Sequence, residues 1–419
     1  MTDAATMETV DVEAFRIALT EFVGEHHPPA DAGAATRDSR VALPIVAGPA
    51  GTEEEHRALV AASCAWQRRL FDAGYGWVTG PPELGGAGLS PAHLEVLRDV
   101  MSEFDVPDDT LVRTGTQVLG PSILQHGTDH LRSHHLPAIH RGDELVCQLF
   151  SEPDAGSDLA NIKTLARRDG DSWVLDGQKV WSSGALDAAT GLCIARTEPG
   201  SERHRGLTAF MISMDAPGVE VRRIRQMTGG AEFCEVFLTG VTVDDDHIVG
   251  EVDGGWAIVI DALMNERSSI GNELLPDESI MQRLLDVVRA SDPDHGLVVL
   301  AADVAGRLTI AKWLERRIAE PYGAGDTPGP EFALTKLALT EVVAGMCELA
   351  SRTLGASLVA GDRPEGAAWA EFVLGAPGLK IGGGTDEVLK NNVAERILGL
   401  PREPAPGAKD RQPVARNLQ

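Results

Sequence analysis

The chain has 419 residues, 43% of them hydrophobic, which is enough for two or three domains with a large core and excludes wholesale disorder. Its formal net charge of −26 disfavours binding to nucleic acid or to an anionic membrane. No apolar run reaches the roughly 18 residues that a membrane span requires, and the acidic N-terminal segment lacks the apolar core of a signal peptide.

The first 144 residues are predicted to form an N-terminal helical domain. Residues 1–28 look helical, and a loop rich in Ala, Gly and Pro follows to about Thr52. Apolar residues then recur at helical spacing from Glu53 to Gly74. After a turn-rich break, Ser90 followed by Pro91 predicts a capped helix start, with helix continuing to about Ile139.

Residues 145–250 are predicted to form an antiparallel β-domain. Short runs with β character alternate with Gly, Asp or Asn. The Asp176-Gly177 step lies between alternating apolar residues and predicts a hairpin turn. The runs are Trp173–Leu175, Lys179–Ser182, Leu192–Ala195, Leu207–Ser213, Val219–Arg225, Cys234–Leu238 and Val241–Val243.

Residues 251–400 are predicted to form a C-terminal helical bundle. Four long segments have helical periodicity, beginning near Trp256, Val299, Pro330 and Asp386. The Pro-rich polar tail, residues 401–419, is predicted to be a flexible or interacting arm. The order of helices, β-domain and helices indicates an α+β fold and argues against a Rossmann fold, since no GxGxxG is present.

The cysteines indicate a reducing compartment. All five are widely spaced, and they include neither a CxxC pair nor zinc-ligand spacing. Reduced thiols in a cytoplasmic protein are therefore expected, with no metal site.

Five segments, in order between about residues 60 and 402, resemble the acyl-CoA dehydrogenase family. They are RLFDAGYGWVTGPPELGGAGLS, QLFSEPDAGSDLANIKTLARRDGDSWVLDGQKVWSS, RIRQMTGGAEFCEVFLTGVTV, NER and GGGTDEVLKNNVAERILGLPRE. The resemblance implies an N-terminal helical domain, a middle β-domain and a C-terminal four-helix bundle. It also implies that FAD lies between the β-domain and the bundle.

The second segment resembles the family's flavin-binding signature. The resemblance implies that Phe150 and Ser151 contact the pyrimidine side of the flavin ring, with Gln148 beside them. It places Gly156 and Ser157 near cofactor and thioester substrate. The triplet Trp181, Ser182 and Ser183 is implied to hold the ring, with the indole against it and the last hydroxyl or amide bonded to N5. Without the resemblance, an ordinary hairpin with Trp181 in a hydrophobic core would explain the same residues.

The C-terminal motif departs from the family pattern. Many members carry the catalytic glutamate directly before the Gly-Thr of this motif, where this chain has Gly383. In the isovaleryl and long-chain branches the base is instead the Glu of an earlier Glu-Arg pair, which matches Glu266-Arg267. Glu266 also continues an apolar helix stripe through Val259 and Leu263 to Ile270. Burial there would raise its pKa towards the value that suits a general base.

The other reading of Glu266 is an exposed, ion-paired residue at the edge of the stripe. The resemblance further implies that the Gly383 N–H binds the thioester oxygen and that Arg267 and Gly384 lie at the substrate. Such a donor would stabilise an enolate-like transition state. In the last helix, Thr385, Asp386 and Glu387 match a cofactor-contacting turn, although Thr385 could serve only as a helix cap.

Two segments that relatives use to bind the ADP half of FAD are missing. No Arg-x-x-Phe-Gly occurs within 270–300, and EFVLGAPGLKIGGGT replaces a Gln-x-x-Gly-Gly-x-Gly segment. This leaves open that the chain is a flavin or partner subunit of a heteromeric enzyme.

The expected function is an FAD-dependent acyl-CoA dehydrogenase of fatty-acid or lipid metabolism. By resemblance, an electron-transferring flavoprotein or similar acceptor takes the electrons, and the assembly is a homodimer, homotetramer or heteromer. An acyl-CoA oxidase or a flavin monooxygenase on the same scaffold is the alternative. The acyl group itself is not predicted.

Overall fold

The computed structural model describes residues 10–30, 53–273, 275–276, 278–320, 329–360 and 364–402. Helices at both ends of the chain flank a central sheet, which confirms the predicted α+β fold. Two predicted segments fall mostly outside the described residues. Of the loop predicted before Glu53 only residues 29–30 are described, and of the tail predicted for 401–419 only residues 401–402.

The N-terminal part is helical, as predicted, but more broken than the periodicity suggested. A 3₁₀ turn covers Pro82–Leu84, and a π-helical segment covers Thr114–Leu119. Proline at the first position starts the third helix, but the Ser90 hydroxyl contacts His93 Nδ1 at 2.8 Å instead of a backbone amide. The helices are α1 (Val12–His26), α2 (Glu53–Asp72), α3 (Pro91–Ser102), α4 (Thr110–Arg113), α5 (Gly120–His126) and α6 (Asp129–Arg141).

The central sheet has eight strands in the order β6-β7-β3-β2-β4-β5-β8, with β1 paired to β4. Most pairs are antiparallel, as predicted, and the two exceptions, β1–β4 and β2–β4, are parallel. The strands are β1 (Val146–Leu149), β2 (Leu165–Asp169), β3 (Ser172–Ser183), β4 (Thr190–Arg196), β5 (Leu207–Ser213), β6 (Val219–Arg223), β7 (Phe233–Asp244) and β8 (Ile248–Val249).

The prediction of a hairpin turn at Asp176-Gly177 was wrong. Strand β3 runs through this step with a local bulge, and the turn lies seven residues earlier, where Gly170 has φ +62°. Gly177 is needed for close approach, since a Cβ there would lie 2.3 Å from the Thr164 hydroxyl. Asp176 accepts the Gly240 amide at 2.8 Å, so its side chain joins β3 to the β7 strand.

The C-terminal part is a helical bundle around α10. Its core includes Trp369, Phe372 and Met346. Helices α8 and α12 were not predicted. The helices are α7 (Gly255–Glu273), α8 (Glu278–Ala290), α9 (His295–Ala319), α10 (Phe332–Leu354), α11 (Ser357–Ala360), α12 (Pro364–Ile381) and α13 (Asp386–Asn392), followed by a π-helical Val393–Ile397.

Helix α7 joins the three parts of the chain. It packs against α5 and the π-helical segment of the N-terminal part, against β5 of the sheet, and against α10 of the bundle. Val259 and Ala262 are fully buried in the shared core. A side chain on α7 can therefore meet residues from distant parts of the sequence. Across the described ranges, no helix has the length and apolarity needed to cross a membrane.

Candidate active site

Glu266 lies where α7 meets the first strand and the last helices. The residue retains some solvent contact, while its carboxyl is surrounded by protein. Burial raises the pKa of this carboxyl above its ordinary value. The charges of Arg267 and Lys336 and hydrogen bonds from the Gln148 side chain and the Gly383 backbone oppose the shift. The alternative of an exposed Glu at the helix edge was therefore wrong.

This arrangement brings together three sequence segments that were predicted to share a site. Gln148 belongs to β1, Glu266 to α7, and Gly383 to the turn before α13. Glu266 is 118 residues from Gln148 and 117 from Gly383 in sequence. A carboxyl whose pKa is raised by burial beside specific hydrogen-bond donors is a candidate general base.

Arg267 contacts the same turn from the neighbouring position on α7. Its Nε donates to the Gly383 carbonyl at 3.4 Å, and a second guanidinium nitrogen lies 3.2 Å from the Met264 sulfur. Burial lowers the pKa of Arg267, an effect that the adjacent Glu266 charge opposes. Arg267 is half-buried.

Sequence reasoning missed Lys336, which holds the turn in place from α10. Its side chain is 1% exposed, and its Nζ donates to the Gly384 carbonyl at 2.6 Å and lies 3.5 Å from Asp386. Asp386 also accepts from the Thr340 hydroxyl at 3.1 Å. Burial lowers the pKa of Lys336, against the opposing charges of Asp386 and Glu266.

The turn itself needs glycine. Gly383 has φ +65° and Gly384 has φ +92°, in the left-handed region that side chains disfavour. Thr385 then caps α13 by accepting the Val388 amide at 3.2 Å, which was its alternative structural reading. Asp386 is buried in the contacts with Lys336 and Thr340, whereas Glu387 is exposed.

A second buried ion pair fixes the segment after β1. Lys179 Nζ lies 2.8 Å from Glu152 and also donates to the carbonyls of Phe150 and Ile194. Glu152 accepts the Thr164 hydroxyl at 2.5 Å. Burial raises the pKa of Glu152, but Lys179 and the hydrogen bonds outweigh it and lower the pKa overall. The pair, unnoticed in the sequence, joins the predicted flavin segment to β3 and β4.

The end of β3 presents an exposed aromatic side chain. Trp181 is 58% exposed, so the alternative of a core tryptophan was wrong. Its φ of +62° is a strained conformation for a non-glycine residue, costing roughly 1–3 kcal/mol, of a kind that clusters at binding sites. The indole meets Phe233 edge-on, with ring centroids 5.9 Å apart. Ser183 is exposed on the same side of the strand, after the bulge.

The other residues of the predicted flavin set fall into two groups. Ser151 is half-buried, and Gly156 and Ser157 are exposed in the loop after β1. Phe150 and Ser182 face inward. The Phe150 ring packs in the core, and the Ser182 hydroxyl is buried without a hydrogen-bond partner. Any contact from Ser182 to a ligand on the open face would come from its backbone.

The exposed residues fit a flat, polar ring system such as a flavin. Trp181 is exposed, so a face of its indole ring is accessible to a ligand. Further polar groups come from Gln148 on β1, from Ser151 just after it and from Ser183 at the end of β3. The buried Glu266 carboxyl is held from the same β1 strand through Gln148. Within the described ranges, no group of three or more His, Cys, Asp or Glu could hold a metal ion.

A separate open cleft of about 680 Å³ lies between residues 158–165 and the 201–204 loop. The buried Arg196 donates to the carbonyls of Ile162 and Arg205 and so ties the two sides together. Lys163, Arg203 and His204 contribute basic or titratable groups to the lining, beside Asp158 and Glu202. Glu266 does not line this cleft.

Three family models together match most of the chain. The acyl-CoA dehydrogenase N-terminal domain matches residues 48–143, the middle domain 147–241 and the C-terminal domain 253–398. Acyl-CoA dehydrogenase IpdE1 of Mycobacterium tuberculosis is 36% identical over 364 residues, covering 85% of this chain and 92% of that protein. Acyl-CoA dehydrogenase FadE34 of the same organism is 39% identical over 327 residues, 76% of this chain and 44% of that longer protein.

Solved structures resemble the fold closely. The Tcur3481-Tcur3483 steroid ACAD superposes with a TM-score of 0.72 at 25% identity, covering 95% of this chain and 99% of that one.

Proposed function

This chain belongs to the acyl-CoA dehydrogenase family of FAD-dependent oxidoreductases, and we propose that it dehydrogenates an acyl-CoA thioester with Glu266 as the base. The observation that carries the proposal is the contact of the buried Glu266 carboxyl with Gln148 and Gly383. It joins the candidate flavin segment to the glycine turn that replaces the family's more common base.

In the proposed reaction, the α-proton of the thioester passes to Glu266 and the β-hydrogen leaves as hydride. The electron pair of the α C–H bond becomes the new C=C bond. FAD, when bound, supplies the hydride acceptor. The raised pKa of Glu266 suits this step, because a desolvated carboxylate is a stronger base than one in water.

Gly383 has two possible acceptors in the proposal. Its backbone is bonded to the Glu266 carboxyl here. If the thioester oxygen takes over this donor, the oxygen gains stabilisation as negative charge develops on it. Glu266 loses a bond that favours its ionised form, and its basicity rises. Substrate binding would thus prepare both the proton donor and the base.

Trp181, Ser183, Ser151 and Gln148 are the residues we propose to hold the flavin ring. The basis is the exposed, strained Trp181 and the polar groups beside it. Gly156, Ser157 and Glu387 are exposed and free to approach cofactor or substrate. The side chains of four other predicted site residues are already engaged in the core or in the glycine turn. These residues would act on the cofactor through backbone atoms or by positioning their neighbours, and they are Phe150, Ser182, Thr385 and Asp386.

We assign the nucleotide end of CoA to the cleft beside Lys163, Arg203 and His204. An anion on so acidic a protein needs a local basic patch. The His204 ring lies 6.2 Å from Trp256. Trp256 precedes Glu266 on α7 by ten residues, or about 15 Å of helix, so a long thioester could span from cleft to carboxyl.

The test of the base is Glu266→Gln. The variant should stay yellow and bind thioester but fail to reduce its flavin in a single turnover, because an amide cannot accept the proton. Glu278→Gln, an exposed glutamate on α8, is the matched control and should reduce flavin normally. Undiminished bleaching in Glu266→Gln would show that another group is the base.

A second candidate function is that of one subunit in a heteromeric dehydrogenase. It is supported by the two missing ADP-binding segments. It is also supported by the similarity to the solved Tcur3481-Tcur3483 steroid ACAD, whose name joins two proteins. A partner subunit purified alone should be colourless, and it should bleach with thioester only after the second chain is added. Retention of FAD and bleaching by the single chain would exclude it.

The acyl group and acceptor are open to direct titration. Anaerobic titration with straight-chain, branched and steroid-derived CoA thioesters would identify the acyl class. We propose an electron-transferring flavoprotein as acceptor, and reoxidation by a dye acceptor but not by air would separate this from an oxidase or monooxygenase. All five cysteines are free, which supports the proposed cytoplasmic location in a reducing compartment.

A further inference from the structure

Helix α6 carries four of the chain's 12 histidines, and they divide between its inner and outer faces. His135 and His140 are buried, each with 5% of its surface exposed. His130 and His134 are exposed to solvent. Packing within the fold therefore accounts for the first two histidines but not for the exposed pair.

The exposed pair lies on one face of the helix. His130 and His134 are four residues apart, and side chains at this spacing are neighbours on a helix surface. Their ring centroids are 5.9 Å apart, and the ring planes differ by 15°. In the part of the chain that the structure describes, neither ring takes part in a hydrogen bond or an ion pair. The ring nitrogens of both residues are thus available to a ligand that arrives from solvent.

The backbone that carries the pair is anchored by a helix cap and by the core. The Thr128 hydroxyl accepts the Leu131 amide at 3.2 Å and so caps the start of α6. Leu131 and Leu136 are fully buried in the core that α6 shares with the sheet. Only the two imidazole side chains have to move for their nitrogens to approach the same ion.

The separation of the rings suits a metal ion held between them. A zinc ion lies about 2.0–2.1 Å from each histidine nitrogen in a tetrahedral arrangement, which places the two nitrogens roughly 3.4 Å apart. The nitrogens lie on the rim of each ring, so rotation about the exposed side-chain bonds brings rings at 5.9 Å to this separation. The pair can therefore chelate one ion without a change in the backbone.

The donor atoms select the class of ion. Imidazole nitrogen suits zinc, copper and nickel, whereas magnesium and calcium prefer oxygen ligands. The formal net charge of −26 attracts cations to the surface. The pair contains no cysteine, so the cysteine spacing that argues against a zinc site does not bear on it.

We propose that His130 and His134 together bind one divalent transition-metal ion such as Zn²⁺ or Ni²⁺, through one nitrogen each. Among the residues that the structure describes, no third His, Cys, Asp or Glu completes a group able to hold a metal ion. Water then fills the other positions around the ion, so the ion exchanges with solvent. The site is on the surface of the N-terminal part and is separate from the proposed dehydrogenase chemistry.

Calorimetric titration with Ni²⁺ tests the site. The full-length chain without an affinity tag is used, with millimolar Mg²⁺ present to occupy carboxylate sites. Wild type should bind Ni²⁺, and His130→Gln or His134→Gln should weaken binding at least about tenfold, because one imidazole cannot chelate. The matched control is His295→Gln, which removes an exposed histidine at the start of α9 and should bind as wild type does.

The double variant tests whether the two histidines act as one site. His130→Gln combined with His134→Gln should lose little more affinity than either single variant, because the first substitution already destroys the chelate. Additive losses would mean two independent weak sites and would overturn the proposal. So would a wild type that does not bind Ni²⁺, or a loss in His295→Gln equal to that in His130→Gln.

Chemical protection of the wild type gives a second measurement that needs no variant to fold. Diethyl pyrocarbonate acylates accessible imidazole nitrogens, and peptide mapping by mass spectrometry locates the products. Ni²⁺ should protect His130 and His134 and leave His295 reactive. Equal modification of the pair with and without Ni²⁺ would overturn the proposal. Neither experiment involves flavin or thioester, so its result is independent of the proposed function.

Discussion

Replacing Lys336 by methionine is the perturbation that most directly separates the contributions of the glycine turn to folding and to the proposed chemistry. The change removes the donor to the Gly384 carbonyl and leaves Asp386, 6% exposed, with only the Thr340 hydroxyl. Breaking a buried ion pair by removing one partner costs about 3–5 kcal/mol, because the other charge stays buried without compensation. We expect a loss of that size in the free energy of unfolding, measured with urea.

Two further variants isolate the cause. Lys312→Met removes a partly exposed lysine of the same bundle, paired with the exposed Glu278 at 3.1 Å, and should cost less than about 1 kcal/mol. Lys336→Met combined with Asp386→Asn should recover part of the loss, because the stranded carboxylate is gone. If Lys336→Met is no more destabilising than Lys312→Met, the buried pair does not contribute as argued.

The same variant has a kinetic signature. Lys336 is one of the charges that lower the pKa of Glu266 against the larger effect of burial. Without it, that pKa should rise further, so the increase of flavin reduction with pH should move to higher pH. A merely structural role would reduce the amount of folded enzyme without moving this profile. An unchanged profile in the folded fraction would refute the electrostatic link.

Two other substitutions and the pH dependence of the wild type have definite expected outcomes. Lys179→Met should lower the free energy of unfolding, measured with urea, by about 3–5 kcal/mol. Because the pKa of Glu152 is lower in the folded protein than in the unfolded chain, this loss of stability should be full at neutral pH and should shrink on acidification. A difference in stability that does not depend on pH would contradict this. Trp181→Gly should raise the free energy of unfolding of the cofactor-free protein by about 1 kcal/mol, because glycine tolerates the positive φ at position 181. The same variant should retain flavin less well. A large destabilisation would mean that the indole has a structural role. In the wild type, flavin reduction by thioester should increase as pH rises through the raised pKa of Glu266 and then level off, as followed by stopped-flow absorbance, and a flat acid limb would exclude a buried carboxylate base.

The motifs selected residues that lie together in the structure, whereas local sequence signals misplaced part of the chain path. Gln148, Glu266 and Gly383 were singled out from three separate segments, and the structure brings them together. Lys336 and Lys179 were missed because their partners, Asp386 and Glu152, lie 50 and 27 residues away in sequence. A single sequence offers no sign that such charges will be buried together, since most Lys and Asp residues stay exposed.

The misplaced hairpin shows why a strong local sequence signal can fail to predict where the chain turns. Two Asp-Gly steps lie seven residues apart, at Asp169-Gly170 and Asp176-Gly177. The first makes the turn with positive φ, whereas the second lies inside β3, where Thr164 crosses it too closely for any side chain. Both sites need glycine for different reasons. Only the approach of a distant backbone distinguishes a turn glycine from a packing glycine.

The backbone at Gly383 explains why, in the proposed mechanism, the base comes from α7. A residue at position 383 is buried and must adopt φ +65°, so a glutamate placed there would have to be strained as well as desolvated. Glycine keeps the turn and its N–H while giving up the side chain. The carboxylate on α7 then reaches that N–H directly, so the loss of the usual base and the use of Glu266 are two aspects of one backbone conformation.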